Sequence, residues 1–180
     1  MSSPEYEQRF LQAALDALED YLQSDVLYWP LNIRQPRNTP PYPQLTVGNV
    51  LLFLRRLEAV GDARAFRQSV EAVKARWGAH WRRKAEREAN ARLRQWRDYL
   101  AEAGNRAPYY RYKVRERVIL ALLDEDLQGL PPAVASRVEE LDGVLRAVFV
   151  PGAFVWEPEL QRAFPRDPFW YLYGSLAAGT

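Results

Sequence analysis

Apolar residues recur at intervals of three and four along several separate segments of this chain, a spacing that commits it to amphipathic helices rather than strands. The first segment carries Leu11, Leu15, Leu18 and Leu22. Ahead of it, Ser3 suits a helix cap, Pro4 the first turn, and Glu5 and Glu7 the positive end of the helix dipole. That helix is expected to end near Ser24. A second, capped by Thr46 and stopped by Gly61, contains the run 50–54, apolar on every side and therefore expected at the centre.

A third stretch, 63–103, places its apolar residues four apart from Val73 to Leu93. On an ideal helix each such step turns the stripe by about 40°. Either the helix kinks near Gly78 or its two halves pack on different neighbours, and the polar part over 82–92 reads as solvated. A fourth helix opens at Pro108 with Val118, Ile119, Leu122, Leu123 and Leu127 as its core face, although 109–114 fits an extended chain as well. The fifth follows Pro131 and has the cleanest seam: Val134, Val138, Leu141, Leu145 and Val148. Beyond it, 150–153 suits a type II turn, and short helices are expected over 158–164 and 168–176.

The expected fold is all-α: a single-domain helical bundle of about five main helices plus short C-terminal ones over residues 1–180, centred on the helix near 50–57. It is interrupted by a proline-rich irregular loop at 25–45, where Pro30, Pro36, Pro40, Pro41 and Pro43 rule out a regular helix or a central strand. Ordered domains seldom carry so long a connection without a use for it. The helix–Gly61–Asp62–helix junction fits an ordinary αα-hairpin better than a DNA-binding helix-turn-helix. In the latter, Leu57 would stand where a small residue belongs and Asp62 where an apolar one does.

Several chemistries drop out early. With no cysteine and a single histidine, His80, the chain cannot build thiolate metal sites, cysteine nucleophiles or any site that needs two histidines. The acidic groupings Asp16/Glu19/Asp20, Asp124/Asp126 and Glu139/Glu140 lack the histidine partners of a helical di-metal centre. No glycine-rich phosphate loop or nucleophile elbow is present. The expectation is a non-enzymatic protein with no catalytic residues, no cofactor and no metal. The apolar runs are too short for a bilayer and residues 1–12 are polar and acidic, so no membrane span and a cytoplasmic location are expected.

Charge is uneven although the net value is only +2: residues 1–30 sum to −5, 74–97 to +7, 106–117 to +4 and 118–180 to −5. On a continuous helix Arg76, Arg83, Arg87 and Arg94 form one row that could follow a phosphate backbone, with Trp77, Trp81 and Trp96 near it for stacking. The competing reading is a solvated face stitched by Arg82–Glu86, Lys84–Glu88 and Glu88–Arg92 pairs, with tryptophans in the core. Tyr109-Tyr110-Arg111-Tyr112-Lys113 interleaves rings with cations as single-strand binders do, while on a helix Tyr109 and Tyr112 would share a face and seal the bundle edge.

Aromatic residues number 23, and the tail cluster Phe169, Trp170, Tyr171 and Tyr173 exceeds what a peripheral tail needs, which suggests a protein interface. The function expected is therefore a protein-interaction or assembly-subunit module with a protein partner or a second copy of itself. Its alternative is a nucleic-acid-binding subunit using Arg76, Arg83, Arg87 and Arg94, extended by Arg111 and Lys113.

Overall fold

The computed structural model describes residues 3–102 and 104–178, and they are mostly helical. Six α-helices lie among the described residues: α1 (Pro4–Gln23), α2 (Val47–Val60), α3 (Arg64–Arg76), α4 (Gly78–Ala101), α5 (Tyr110–Leu127) and α6 (Pro132–Val148). Two short strands, β1 (Phe149–Phe154) and β2 (Tyr173–Leu176), correct the all-α expectation. The chain divides into two compact units, Met1–Glu88 and Ala89–Thr180, with the boundary inside α4.

In the first unit α1 starts as its sequence dictates, with the Ser3 side chain accepting from the Tyr6 amide, and it ends at Ser24. Its buried face holds Phe10, Leu11, Ala14, Leu18 and Leu22. Glu7 is buried too, and Arg56 of α2 donates to both its oxygens at 3.1 Å. Removing a carboxylate from water is costly unless it is paired this closely.

The segment 25–45 contains neither helix nor strand, as its prolines require, and an antiparallel bridge between Trp29 and Leu45 closes its neck. Each of the two donates its amide to the other's carbonyl, at 3.1 and 2.8 Å. Within the loop, Tyr42 stacks on Tyr6 of α1 at 4.5 Å, and Asn38 takes a positive φ of 64°.

Thr46 caps α2, whose residues Val50, Leu52, Phe53, Leu54 and Leu57 are buried. Gly61 stops the helix in an extended conformation. What favours glycine there is space, because an added Cβ would stand 3.2 Å from Leu57 and 3.3 Å from Pro4. Asp62 accepts from the Arg64 amide at 3.0 Å at the start of α3, and its hydrogen bonds to Arg64 hold its carboxyl down to about 2. The expected 63–103 helix is two helices: α3 stops at Arg76, Trp77 leaves helical geometry at φ −117° and ψ 33°, and α4 begins at Gly78. Ala103, the expected end of that stretch, lies outside the described residues.

In the second unit the α5 face Val114, Val118, Ile119, Leu122 and Leu123 and the α6 residues Val134, Val138 and Leu145 are buried. Gln128 ends α5 in the left-handed region at φ 55°, and the Gly129 amide donates back to the Asp124 carbonyl at 2.9 Å, a common helix stop. The tail follows expectation in part. The stretch 158–164 forms a short 3₁₀ helix, Pro158–Ala163, whereas 168–176 contains only the 3₁₀ turn Trp170–Leu172 before β2.

The expected type II turn over 150–153 is also corrected, since those residues belong to β1, which pairs antiparallel with β2 in the register Phe149↔Leu176, Val150↔Ser175 and Pro151↔Gly174. Gly174 shows why pairing wins over a helix. Its φ is +154°, and a Cβ there would lie 2.3 Å from the Val150 carbonyl oxygen and 2.5 Å from the Phe149 ring. Only glycine lets the two backbones approach so closely.

Candidate functional site

A 3₁₀ turn, Ala107–Tyr109, delivers the chain into α5 with the Tyr109 amide donating to the Arg106 carbonyl at 3.0 Å. Tyr110 points inward: it is buried, and its hydroxyl donates to the Tyr171 carbonyl at 2.6 Å. Burial pushes the Tyr110 phenol far above its ordinary range. Tyr110, Val114 and Val118 therefore form the inward row at intervals of four, and helix geometry turns 109, 112 and 113 outward.

The outcome is decisive in number. Of the 23 aromatic side chains only Tyr109 and Tyr112, 60% and 72% accessible, are exposed, and every other is buried or half-buried. Neither ring touches another aromatic, and neither hydroxyl has a hydrogen-bond partner among the described residues. Instead of sealing a bundle edge, as helical spacing alone suggests, they stand free.

Cations neighbour them in sequence. Residues 103–115 contain Arg106, Arg111, Lys113 and Arg115 and no carboxylate. Lys113 is exposed and has no partner among the described residues. Arg111 is half exposed, and its guanidinium reaches Glu157 only loosely at 3.7 Å, while its carbonyl accepts from the Trp156 indole at 2.9 Å. No side chain caps the first turn of α5; the preceding 3₁₀ turn does so, with the Tyr110 amide donating to the Ala107 carbonyl.

The arginine row is not one row. Arg76 lies on α3, before the break at Trp77, and pairs with Glu19 at 3.1 Å. Arg87 donates to the Asp25 carbonyl at 3.0 Å. Arg83 and Arg94 on α4 are exposed and have no partner among the described residues. The tryptophans near the row are unavailable to a base: Trp81 and Trp96 are buried, and Trp77 is half-buried edge-on to His80 at 5.3 Å.

The stretch 82–92, expected to be solvated, contains three buried charges. Lys84 donates to the carbonyls of Ser24, at 2.8 Å, and of Val26, with its ammonium 4.6 Å from the Tyr21 ring centre. Desolvation lowers its pKa. Glu88 accepts from the Thr46 hydroxyl and the Gly48 amide, both at 2.7 Å. In the second unit Arg92 pairs with Glu116 at 3.0 Å. The Arg82–Glu86 pair forms on the surface at 3.3 Å, as its spacing predicts. Sequence reasoning missed the buried charges because their i,i+4 spacing imitates a solvated ladder.

The tail cluster is used internally. Phe169, Tyr171 and Tyr173 are buried and Trp170 is half-buried. Phe169 meets Phe164 edge-on at 5.2 Å, and Trp170 meets Phe149 at 5.3 Å.

A cavity of ≈ 450 Å³ lies between α5, α6 and the Pro168–Tyr171 segment. In its wall Arg117 donates to both oxygens of Asp142, at 2.8 and 2.9 Å, and its guanidinium lies 4.5 Å from the Tyr171 ring centre. These two charges satisfy one another, and Asp124, Glu125 and Glu139 line the cavity beside them. Among the described residues no cluster of three or more acidic or histidine side chains is placed to hold a metal ion, and no helix is long and apolar enough to cross a membrane. Comparison with protein-family models, with curated proteins and with solved structures returns no match, so no relative lends this chain a fold name or an activity.

Proposed function

We propose that the protein is a non-enzymatic interaction module, a subunit that engages a partner through the aromatic and basic surface at the start of α5. One observation carries the reading: a chain that withdraws 21 of its 23 aromatic side chains from full exposure leaves the other two, Tyr109 and Tyr112, within one helical turn. Tyrosine and arginine dominate binding hot spots because they combine area, a polar tip and little entropy to lose. The sign of the charge selects the partner. A two-fold contact between copies would bring Arg111 and Lys113 against themselves, so a homo-oligomer would have to use a different, acidic patch on the second copy.

The proposal includes one helical domain over 1–180 and a cytoplasmic location, in keeping with a chain that has no cysteine to oxidise. Scanning calorimetry tests the domain claim: one transition supports it, and two resolved transitions overturn it. Size-exclusion of native lysate tests the module. The wild-type chain should elute in a larger assembly and the Tyr109→Ala/Tyr112→Ala variant near its own 20.9 kDa. Elution of the wild type at that mass would count against the reading.

A second reading, a nucleic-acid-binding subunit that uses the arginines of α4, draws support from the exposure of Arg83 and Arg94 without partners among the described residues. Its mark is a binding salt dependence that flattens when those arginines are replaced.

A further inference from the structure

Two exposed tyrosine rings, Tyr109 at the end of the 3₁₀ turn and Tyr112 in the first turn of α5, stand three residues apart in the chain. Lys113 and the loosely held Arg111 stand among them, and no carboxylate interrupts residues 103–115. The complement of such a surface displays flat apolar faces and regularly spaced negative charge on the same strand.

An acidic peptide supplies the charge and leaves both rings idle. An anionic bilayer needs a broad apolar face, which a surface shared with Arg111 and Lys113 lacks. A nucleic-acid duplex hides its base faces within its own stack. A single strand exposes bases and phosphates together, and every base can stack on a tyrosine whatever its identity.

We infer that the start of α5 binds single-stranded nucleic acid, with bases stacked on Tyr109 and Tyr112 and phosphates held by Arg111 and Lys113. This inference rests on the interaction-module reading and names its partner. It also relocates nucleic-acid contact from α4, where the tryptophans are buried or half-buried, to a turn where the rings are free. Glu157, at 3.7 Å from Arg111, is the one carboxylate a phosphate would displace, and at that distance it competes weakly.

The test uses the full chain and a fluorescently labelled oligothymidylate of about 12 nucleotides, within the span a single-strand groove covers. Anisotropy is followed from about 50 mM salt upward. The single strand should bind at least about tenfold more tightly than a duplex of the same length, since only it exposes its base faces. Tyr109→Ala and Tyr112→Ala should each weaken binding by about tenfold with the salt slope unchanged, while Tyr112→Phe retains it. Lys113→Ala should flatten the slope by about 0.7, the increment for one phosphate on a single strand. All three positions are exposed, with no side-chain partner among the described residues, and unchanged circular dichroism would show that the variants fold.

The inference is overturned by absent binding, by equal binding of duplex, or by binding that ignores both tyrosines and depends on Arg83→Ala/Arg94→Ala. It is also overturned if polyglutamate or anionic vesicles bind as well as the oligonucleotide does. Should no oligonucleotide bind while the lysate assembly remains sensitive to Tyr109→Ala/Tyr112→Ala and resistant to nuclease, the single-strand assignment fails and the interaction module stands. If the assembly ignores the tyrosines as well, both fail.

Discussion

Thr46 donates its hydroxyl proton to Glu88 at 2.7 Å across 42 positions of sequence, while its oxygen accepts the Asn49 amide at 3.0 Å. One side chain thus caps α2 and ties it to α4. The other Glu88 oxygen takes the Gly48 amide, so a carboxylate from a distant helix completes the positive end of α2. One turn earlier, Lys84 grips the carbonyls of Ser24 and Val26. Both ends of the proline-rich loop are held by residues four apart on α4.

Glu88→Ala should therefore cost about 3 kcal/mol, because it leaves the Thr46 hydroxyl and the Gly48 amide buried and unsatisfied. Glu88→Gln, which retains an acceptor, should cost roughly half as much. Urea denaturation checks both; equal stability of wild type and Glu88→Ala would contradict the assigned role.

Glycine positions should divide sharply. Gly174→Ala should cost more than about 2 kcal/mol, since its Cβ meets the Val150 carbonyl oxygen at 2.3 Å and its φ is positive. Gly143→Ala, within α6 and with nothing within 4 Å, should instead gain about 0.5–1 kcal/mol. Thermal midpoints of the two variants should move in opposite directions.

Breaking the Arg117–Asp142 pair should be more costly than replacing it. Asp142→Ala should lose about 3 kcal/mol by stranding a largely buried guanidinium. The double variant Arg117→Met/Asp142→Leu should lose less than the two single changes together, which a double-mutant cycle measures.

Alkaline conditions should loosen the second unit. Burial pushes the Tyr99 phenol up to about 12, so the folded form holds a proton that the unfolded form releases near 10. The stability this contributes is complete below pH 10 and is lost as pH rises through about 12. Tyr110, raised further, acts in the same sense. Lys84 acts oppositely, since its lowered pKa makes its contribution improve as pH approaches 10.5. Urea midpoints between pH 9 and 12 should fall, and Tyr99→Phe should reduce the fall.

The helices were legible because their seams repeat at helical spacing, and α1, α2 and α6 follow it closely. The stripe of constant four-residue steps left two options, a kink near Gly78 or two different neighbours, and the chain does break at Trp77. The second strand, β2, was not legible. Residues 173–176 fit either period, and their conformation is set by pairing with residues about 20 to 27 positions earlier. The buried Lys84, Glu88 and Arg92 were hidden by a spacing that suits a solvated face equally well. Exposure of Tyr109 and Tyr112 could have been read by extending the α5 seam back from Val118 to Val114 and Tyr110, which turns both rings outward.

The central claim is that the start of α5 is the contact surface, and position-specific photo-crosslinking tests it most directly. A photoreactive residue at Tyr112 should form adducts in living cells, whereas one at Val144, exposed on α6, should form none. Adducts at 144 with none at 112 would contradict the account.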